Sequence, residues 1–228
     1  MSVERVLRSI LDTGLVTNGE ETFKLHSAIS EEEGRFIQEN ISRFEPRTYL
    51  EVGLAFGISA LYAGDSLGRT GQSYSHHIVD PQQHTAWNGV GIYNLKQAGL
   101  WDNISFYEAP SEYVLPQLAE GGTEVDMAFI DGWHTFDHTL LDFFYVNRML
   151  KVGGVVIFDD TDWPSVSKVL KYVTRYPCYQ LCGEMQQSRV TALAKGVMSM
   201  RVPNLKPNAV AIRKVSADER RWDWYEPF

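Results

Sequence analysis

Short apolar runs alternate with helical spacing of apolar residues along the middle of the chain. The apolar runs predict strands at residues 48–54, 74–80, 103–109, 125–131 and 153–160. The segments between and after these runs predict helices near residues 58–68, 88–99, 111–119, 137–150 and 164–175. Strands that alternate with helices in this way form a parallel sheet covered by helices on both faces. The pattern therefore predicts an α/β fold.

The two flanks extend this core in different ways. Residues 1–45 are predicted to form a helical extension, and Ser30 and Glu33 in "SEEEGRF" have the spacing of a helix-starting capping box. Within residues 176–228, the runs "CYQLCG" and "AVAIRKV" predict two edge strands. We expect these strands to lengthen the sheet at one side.

Composition favours a single folded domain. Hydrophobic residues make up 44% of the chain and charged residues 22%, close to the average for folded domains. No linker rich in Pro, Gly or Ser interrupts residues 1–228, so we predict one domain with its core at 46–175. No apolar run approaches the roughly 20 residues of a membrane span, and the first residues lack a signal-peptide pattern. The protein is therefore predicted to be cytoplasmic, without a membrane partner.

Charge and cysteine content exclude other classes of partner. The formal net charge of −8 argues against nucleic acid, which requires a basic face. Lys and Arg are spread thinly over residues 195–214, which we interpret as a solvated surface. Cys178 and Cys182 do not have the CxxC spacing of metal or redox sites, so we interpret them as incidental thiols.

Acidic and small polar residues follow the predicted strands. The carboxyl ends of parallel strands meet at one edge of an open sheet, where ligands bind. One Asp at a strand end is an ordinary turn residue, but acidic residues stand at most of these ends. In chain order they are Glu51 with Gly53, Asp80, Glu108 to Ser111, Asp131, and Asp159 with Asp160. We therefore predict a ligand-binding cleft at this edge.

The stretch "EVGLAFGIS" joins the first of these strands to a helix through Gly53 and Gly57. Glycine permits a tight turn and lets a ligand approach the backbone, although an ordinary strand-to-helix turn has the same pattern. Ala55 breaks the dinucleotide pattern GxGxxG, which weakens a role in gripping pyrophosphate. Asp80 closes the next strand and could accept hydrogen bonds from both ribose hydroxyls. S-adenosylmethionine, which has a ribose but no pyrophosphate, fits these residues.

These motifs resemble those of class I S-adenosylmethionine-dependent methyltransferases. "EVGLAFGIS" is similar to the E-x-G-x-x-x-G-x-S motif of the catechol O-methyltransferase group and of related bacterial small-molecule and sugar O-methyltransferases. The likeness continues in order through "AGL", "PSEYVLPQL", "FIDGWH" and "GGVVIFDD", over roughly residues 48–175. The resemblance implies a Rossmann-like fold, with a mostly parallel seven-stranded sheet and helices on both faces.

The resemblance also implies where the cofactor and a metal ion would bind. The cofactor residues would be Glu51, Gly53 and Gly57 at the methionine part with Ser59 nearby, Asp80 at the ribose, Ser111 and Trp133 at the adenine, and Asp131. In metal-dependent members a magnesium-like ion is bound after the fourth and fifth strands, which here means Asp131, Asp159 and Asp160. Three adjacent carboxylates repel one another, and a divalent cation that prefers oxygen ligands offsets that repulsion. The alternative is that Asp159 and Asp160 only begin a loop.

His134 stands three residues after Asp131, where the catechol-type enzymes carry a lysine. This departure puts a catechol acceptor in doubt, but histidine titrates near neutral pH and can accept a hydroxyl proton. We predict that His134 is the catalytic base or touches the metal; the alternative is that it only orients Asp131 or binds a backbone carbonyl. His138 lies four residues further on, beside apolar helical positions that suggest burial, and is predicted to be packed or to support the site from behind rather than to bind an ion. A zinc site on the two histidines is disfavoured because HExxH and further ligands are missing.

Together these features predict a methyltransferase that uses S-adenosylmethionine and a divalent ion such as Mg²⁺ to methylate a hydroxyl of a small molecule. A bound ion lowers the pKa of a coordinated hydroxyl, and two adjacent hydroxyls could chelate it. Sugar or natural-product hydroxyls are expected ahead of catechols. The alternatives are a nicotinamide-dependent oxidoreductase on a Rossmann sheet and a noncatalytic cofactor-binding homologue.

In methyltransferases of this fold, segments added to the cofactor-binding core choose the substrate, and the resemblance implies the same role for three segments here. They are residues 1–45, residues 81–93 with Gln82, His84 and Trp87, and residues 183–206. The closing "RRWDWYEPF" is dense in aromatic residues, and such a cluster usually packs on something. We predict that it docks on its own domain or on the second subunit of a homodimer.

Overall fold

The structure is a computed structural model that describes residues 1–185 and 208–228. The helices are α1 Val3–Thr13, α2 Glu31–Phe44, α3 Ile58–Arg69, α4 Val90–Gln97, α5 Ser111–Glu120, α6 Phe136–Met149 and α7 Pro164–Val173. The strands are β1 Leu15–Thr17, β2 Thr22–Lys24, β3 Thr48–Val52, β4 Ser75–Val79, β5 Ile104–Tyr107, β6 Val125–Ile130, β7 Leu150–Phe158, β8 Tyr179–Met185 and β9 Ala209–Lys214. Every strand and helix predicted after residue 48 is present, with ends displaced by a few residues.

Seven strands form the central sheet in the order β5-β4-β3-β6-β7-β9-β8. The first five of these are parallel, and β9 runs antiparallel to both β7 and β8. The chain enters the sheet at β3, proceeds outward to β5, and then returns to β6 on the other side of β3. A crevice opens at the carboxyl ends where the strand order reverses in this way. The predicted mostly parallel seven-stranded sheet is confirmed.

Helices cover both faces of the sheet because successive residues of a strand face opposite sides. Tyr49 is buried in the core that includes α1, α2 and α3, while the next residue, Leu50, is buried in the core that includes α5, α6 and α7. Strands buried on both faces consist of nearly continuous apolar residues. This burial explains why the sequence pattern located these strands so closely.

Hydrogen bonds at the strand ends align the residues that follow them. The Asp80 N–H donates to Tyr107 O over 3.1 Å, the Asp131 N–H to Val52 O over 2.9 Å, and the Asp159 N–H to Ile130 O over 3.1 Å. Each bond extends the parallel pairing by one residue beyond the strand. The acidic residues predicted at different strand ends are thereby brought to one edge.

The N-terminal extension is not wholly helical, which corrects the prediction for residues 1–45. Between α1 and α2, strands β1 and β2 form an antiparallel hairpin. Asn18 and Gly19 lie at its turn; the Asn18 side chain accepts hydrogen bonds from the backbone N–H groups of Glu20 and Glu21, and Gly19 has φ 98°. Asn-Gly is a strong turn signal between short apolar runs. The predicted capping box is confirmed, with Ser30 and Glu33 bonded reciprocally at the start of α2.

The aromatic tail docks on its own domain. Trp224 packs edge-on against Tyr176 with ring centroids 5.3 Å apart, and Phe228 lies 4.7 Å from the Tyr172 ring. The guanidinium of Arg220 stacks 3.2 Å from the Tyr176 ring. The first of the two predicted docking modes is confirmed, while a homodimer stays a prediction.

Asp218 anchors this tail and makes its docking sensitive to acid. Its carboxylate accepts hydrogen bonds from Arg220 over 2.7 and 2.8 Å and from Asn147 over 2.8 Å, and these partners lower its pKa to about 2. A depressed carboxyl pKa stabilises the fold above the unfolded pKa of about 3.9, and that stabilisation is lost as the pH falls through the folded pKa. We expect Asp218→Asn to lower the melting temperature at pH 7 and to match the native protein near pH 2. A thermal-melting series over pH measures this; a constant difference would contradict it.

Most of the 183–206 segment and part of the basic 195–214 region lie outside the described residues, so their predicted roles stay predictions. Among the described residues, no helix is long and apolar enough to cross a membrane. The cytoplasmic location stays a prediction. Cys178 is buried and Cys182 half-buried, and both are free thiols as predicted.

Candidate functional site

One cavity of about 930 Å³ opens at the carboxyl edge of the sheet. Its walls come from the segments that follow β3, β4, β5, β6 and β7, and from residues 27–29 with Glu33 of the N-terminal extension. Its volume is near the upper end of the range for pockets that hold one small ligand, roughly 300–1,000 Å³. The cavity therefore has room for a cofactor and a second small molecule.

The glycine turn after β3 forms the floor of the cavity. Gly53 has φ 95°, a backbone conformation that other residues rarely adopt. A Cβ at this position would lie 2.1 Å from the backbone oxygen of Asp131. Gly57 has φ 81° and begins α3, but it does not line the cavity. Of the two glycines, Gly53 is the one that lets a ligand and the neighbouring loop approach.

Asp80 lines the cavity but uses much of its carboxylate to hold the turn. Its Oδ2 accepts the N–H groups of Leu54 and Ala55, both over 2.9 Å, and its Oδ1 accepts the Gln82 N–H over 2.7 Å. An ionised carboxylate has about four acceptor sites. One acceptor site on Oδ1 thus remains for a ribose hydroxyl, so Asp80 shapes the turn as well as facing the ligand.

Glu51 does not line the cavity, contrary to the contact implied by the resemblance. It is fully buried below the cavity, where its carboxylate accepts a hydrogen bond from Ser59 Oγ and lies 2.9 Å from His76 Nε2. Ser59, by contrast, lines the cavity. Glu51 therefore acts on the cavity indirectly, by holding Ser59 and hence the first turn of α3.

Ser111 and Trp133, the residues predicted to border the adenine, both line the cavity. Ser111 begins α5, and Trp133 is 59% exposed at the mouth of the cavity. Beneath them, Asp142 is buried and interacts with Ser111; burial raises the pKa of its carboxyl to about 6, although the Ser111 hydrogen bond opposes this. These residues form an aromatic and polar rim.

The acidic end of the cavity brings three side chains together. His134 Nε2 lies 3.1 Å from Asp131 Oδ1 and 3.1 Å from Asp160 Oδ2. One donor atom of each residue lies within 4.8 Å of the others, so this triad could hold a metal ion. Burial raises the pKa of Asp131 to about 6, against the effect of its hydrogen bond with His134. That hydrogen bond, in turn, raises the pKa of His134.

Asp159 lies beside the triad but outside its set of converging donors. It is 5% exposed, and burial, followed by the charges of Asp131 and Glu33, raises its pKa well above the usual value. Its predicted role as a metal ligand stays a prediction. His134 occupies the place in the converging set that the sequence assigned to Asp159.

His138 is half-buried rather than tightly packed, while the alternative prediction of a supporting role beside the site stays a prediction. It lines the cavity, lies 6.1 Å from the Trp133 ring, and has its Nδ1 2.8 Å from the Thr135 hydroxyl. The apolar positions that suggested burial are themselves partly open; Phe144 is 48% exposed.

Several cavity residues were missed by the sequence analysis or given another role. Glu33 was recognised only as a helix cap, yet it also lines the cavity near Asp159. Trp163 follows the predicted metal-binding pair, is 49% exposed, and lies 5.1 Å from the His134 ring. Gln82 and Trp87 line the cavity as expected, and His84 instead pairs with Glu108 at 2.5 Å. The position of Trp163, three residues after Asp160, could have indicated it, but no local pattern indicates Glu33.

Comparison with known proteins identifies the domain that contains the cavity. A family model described as a methyltransferase domain matches residues 50–161, which include the glycine turn, Asp80 and the triad. Residues 50–161 therefore form a methyltransferase domain. The match covers the strands and loops that build the cavity, and it does not favour the nicotinamide-dependent alternative.

Two relatives that match this chain are named caffeoyl-CoA O-methyltransferases. Caffeoyl-CoA O-methyltransferase 2 of Petunia hybrida is 27% identical over 160 residues, which cover 64% of this chain and 62% of that protein. Caffeoyl-CoA O-methyltransferase 1 of Eucalyptus globulus is 26% identical over 159 residues, which cover 64% of this chain and 60% of that protein. The match thus spans about three fifths of these relatives' length.

Solved structures share the fold of this methyltransferase domain. The O-methyltransferase of Bacillus cereus, in complex with SAH, has a TM-score of 0.66 at 16% identity and covers 93% of this chain and 90% of its own. TomG, an O-methyltransferase of Streptomyces achromogenes in complex with SAM, has a TM-score of 0.66 at 14% identity, with 94% and 89% covered. At this identity the likeness establishes the Rossmann-like fold alone.

Proposed function

We propose that the protein transfers the methyl group of S-adenosylmethionine to a hydroxyl oxygen of a small molecule, assisted by a divalent ion. The observation that supports this most is that the glycine turn and the triad of Asp131, His134 and Asp160 line the same cavity. The relatives' names point to the same chemistry.

The cofactor would lie along the half of the cavity that contains Gly53, Asp80 and Ser111. Gly53 lets its methionine part approach the backbone, Asp80 Oδ1 accepts a ribose hydroxyl, and Ser111 with Trp133 borders the adenine. The anionic character of this cavity also suits the positive sulfonium. Ser59, held by Glu51, completes the wall near the methionine part.

The ion would be held at the acidic end, where oxygen and nitrogen donors converge. Asp131 and Asp160 supply carboxylate oxygens, as Mg²⁺-like ions prefer. When bound, such an ion lowers the pKa of a coordinated hydroxyl and orients its oxygen. His134 could then serve as the predicted proton acceptor or as a further ligand. Asp159 lies near Asp131 and Asp160.

The reaction forms a bond between the acceptor oxygen and the methyl carbon, and it breaks the bond between that carbon and the sulfonium sulfur. The hydroxyl proton passes to the proton acceptor or to solvent, and S-adenosylhomocysteine is the second product. The protein contributes by fixing the two reactants in one geometry. Residues 27–29 and Trp87 also line the cavity that would hold the reactants.

Trp163 indicates the shape of the acceptor. Its indole is 49% exposed, lines the cavity and stands 5.1 Å from the ring of His134. A planar aromatic ring or the apolar face of a sugar can pack on such a surface. We therefore propose an acceptor with two adjacent hydroxyls on a ring.

An acceptor panel with methyl-labelled S-adenosylmethionine tests the function. The panel pairs each vicinal diol, aromatic or sugar, with the same ring carrying one hydroxyl already methylated. We expect label to enter the diols as a methyl ether and the blocked partners to react much more slowly. Absence of transfer to every hydroxylated acceptor, with the cofactor bound, would favour a noncatalytic homologue. A nicotinamide absorbance in the purified protein would favour the oxidoreductase.

Gln83 provides a separate test of the cofactor half. It is fully buried, and its Nε2 donates to Ala55 O over 2.7 Å and lies 3.4 Å from Asp80 Oδ2. Ala55 has φ 46° and so needs this support. Because Gln83→Leu leaves a buried carbonyl unpaired, we expect about 1–3 kcal/mol of lost stability and a roughly tenfold weaker cofactor affinity.

Isothermal titration with S-adenosylmethionine measures the effect of this substitution. The matched control is Gln180→Leu, since Gln180 is exposed on β8 far from the cavity and should leave the affinity unchanged. Equal affinities for native protein and Gln83→Leu would show that the turn does not depend on this clamp.

A further inference from the structure

The distances within the triad fit the coordination shell of an ion. His134 Nε2 is 3.1 Å from one oxygen of Asp131 and 3.1 Å from one oxygen of Asp160. Two donors that each lie about 2.1 Å from one ion, at a right angle, are about 3.0 Å apart. The nitrogen therefore stands at ligand distance from both oxygens, with no large side-chain movement required.

The structure also fixes the imidazole of His134 in this place. The His134 carbonyl accepts a hydrogen bond from Ser165 Oγ over 2.6 Å, and the His134 ring packs 5.1 Å from the Trp163 ring. The next residue, Thr135, is the N-cap of α6. Ligands held by their surroundings lose little freedom when an ion binds.

A second observation points to a cation at this end. Asp159 lines the cavity, is 5% exposed, and its Oδ1 has no hydrogen-bond partner among the described residues. Its nearest charges include those of Asp131, Glu33 and Asp160, all negative when ionised. A buried carboxylate in such company needs a cation or a donor close by.

We propose that His134 is itself a ligand of the ion, together with Asp131 and Asp160, and that this mixed nitrogen and oxygen site prefers Mn²⁺ or another first-row ion to Mg²⁺. This inference rests on the proposed function, whose ion it places. Imidazole suits transition ions, whereas Mg²⁺ prefers an all-oxygen shell. A metal-bound nitrogen has no free lone pair, so His134 is then not the group that receives the acceptor's proton.

Pulsed EPR of the full chain loaded with Mn²⁺ tests the ligand assignment. We expect a nitrogen coupling that changes when the histidines are labelled with ¹⁵N and that disappears in His134→Ala. We also expect His134→Ala to weaken Mn²⁺ binding by about 100-fold or more, since even partners one shell further out account for 10–100-fold. His138→Ala, the matched control in the same cavity, should keep the coupling.

Two further variants separate a lost ligand from a lost fold. His134→Asp restores a third ligand of oxygen type, so it should bind Mn²⁺ without nitrogen coupling and shift the preference toward Mg²⁺. Asp159→Asn should keep the coupling. The inference is overturned if Mn²⁺ does not bind, if it binds without nitrogen coupling, if the coupling survives His134→Ala, or if Mg²⁺ binds as tightly as Mn²⁺.

The ligand assignment and the proposed methyl transfer can be tested separately. Transfer that proceeds with an ion lacking nitrogen coupling would overturn the ligand assignment and leave the function standing. If the ion shows nitrogen coupling but the protein methylates no hydroxylated acceptor, the proposed function is overturned and the ligand assignment stands.

Discussion

Asp131→Asn is expected to reduce methyl transfer by about a thousandfold or more while leaving the fold intact. Asp131 contributes an oxygen to the triad, and its N–H continues the pairing of β6 with β3. Asparagine keeps that backbone bond and the side-chain size but removes the negative charge. A bound ion supplies several kcal/mol of charge stabilisation, and each 1.4 kcal/mol, roughly, changes the rate tenfold.

The same substitution should not lower the melting temperature in the absence of added metal. Burial and the charge of Asp160 both raise the pKa of Asp131, which means that its ionised form is unfavourable in the folded protein. Loss of activity with retained stability is the pattern expected of a functional carboxylate. Asp137→Asn is the matched control, because this side chain is 80% exposed and lies outside the cavity. Native-like turnover in Asp131→Asn would remove Asp131 from the reaction.

Gly53→Ala is expected to destabilise the protein by about 3 kcal/mol or more and to abolish cofactor binding. A residue other than glycine at a positive φ costs about 1–3 kcal/mol. At Gly53, with φ 95°, the added Cβ would also lie 2.1 Å from the backbone oxygen of Asp131, which cannot move without disturbing the triad. One methyl group therefore affects both halves of the cavity.

Gly68→Ala is the matched control for this prediction. Gly68 is exposed near the end of α3, and an added Cβ would meet no atom within 4 Å. In a helix this change should raise stability by about 0.5–1 kcal/mol. Denaturant unfolding and cofactor titration on the two variants measure the contrast. Similar, small effects at both positions would mean that the turn after β3 is not constrained as described.

The fold was predictable because its sheet is buried on both faces. β6 and β7 end in the apolar runs "MAFI" and "VVIF", and Asp131 and Asp159, which follow them, mark where the strands end. The hairpin of β1 and β2 was missed because its strands are three residues long and lie between two helices. Such a short element depends on tertiary contacts that no local pattern records.

The site was predictable at its strand ends and less so elsewhere. Asp131 and Asp160 meet because parallel strands bring their ends to one edge. Glu33 arrives from α2, so only the folded chain places it near Asp159. His138 lines the cavity although apolar neighbours in α6 suggested burial, because helical spacing alone does not show which side the neighbouring loop covers.

In the proposed function, a bound ion and a bound cofactor act together in one cavity. The most direct measurement is the rate of S-adenosylhomocysteine formation with a ring vicinal diol, first with EDTA and then after excess Mn²⁺ or Mg²⁺ is restored. We expect the rate to fall to background with EDTA and to return with the ion. We expect cofactor affinity to change little throughout. Full activity in EDTA would contradict the metal-assisted mechanism.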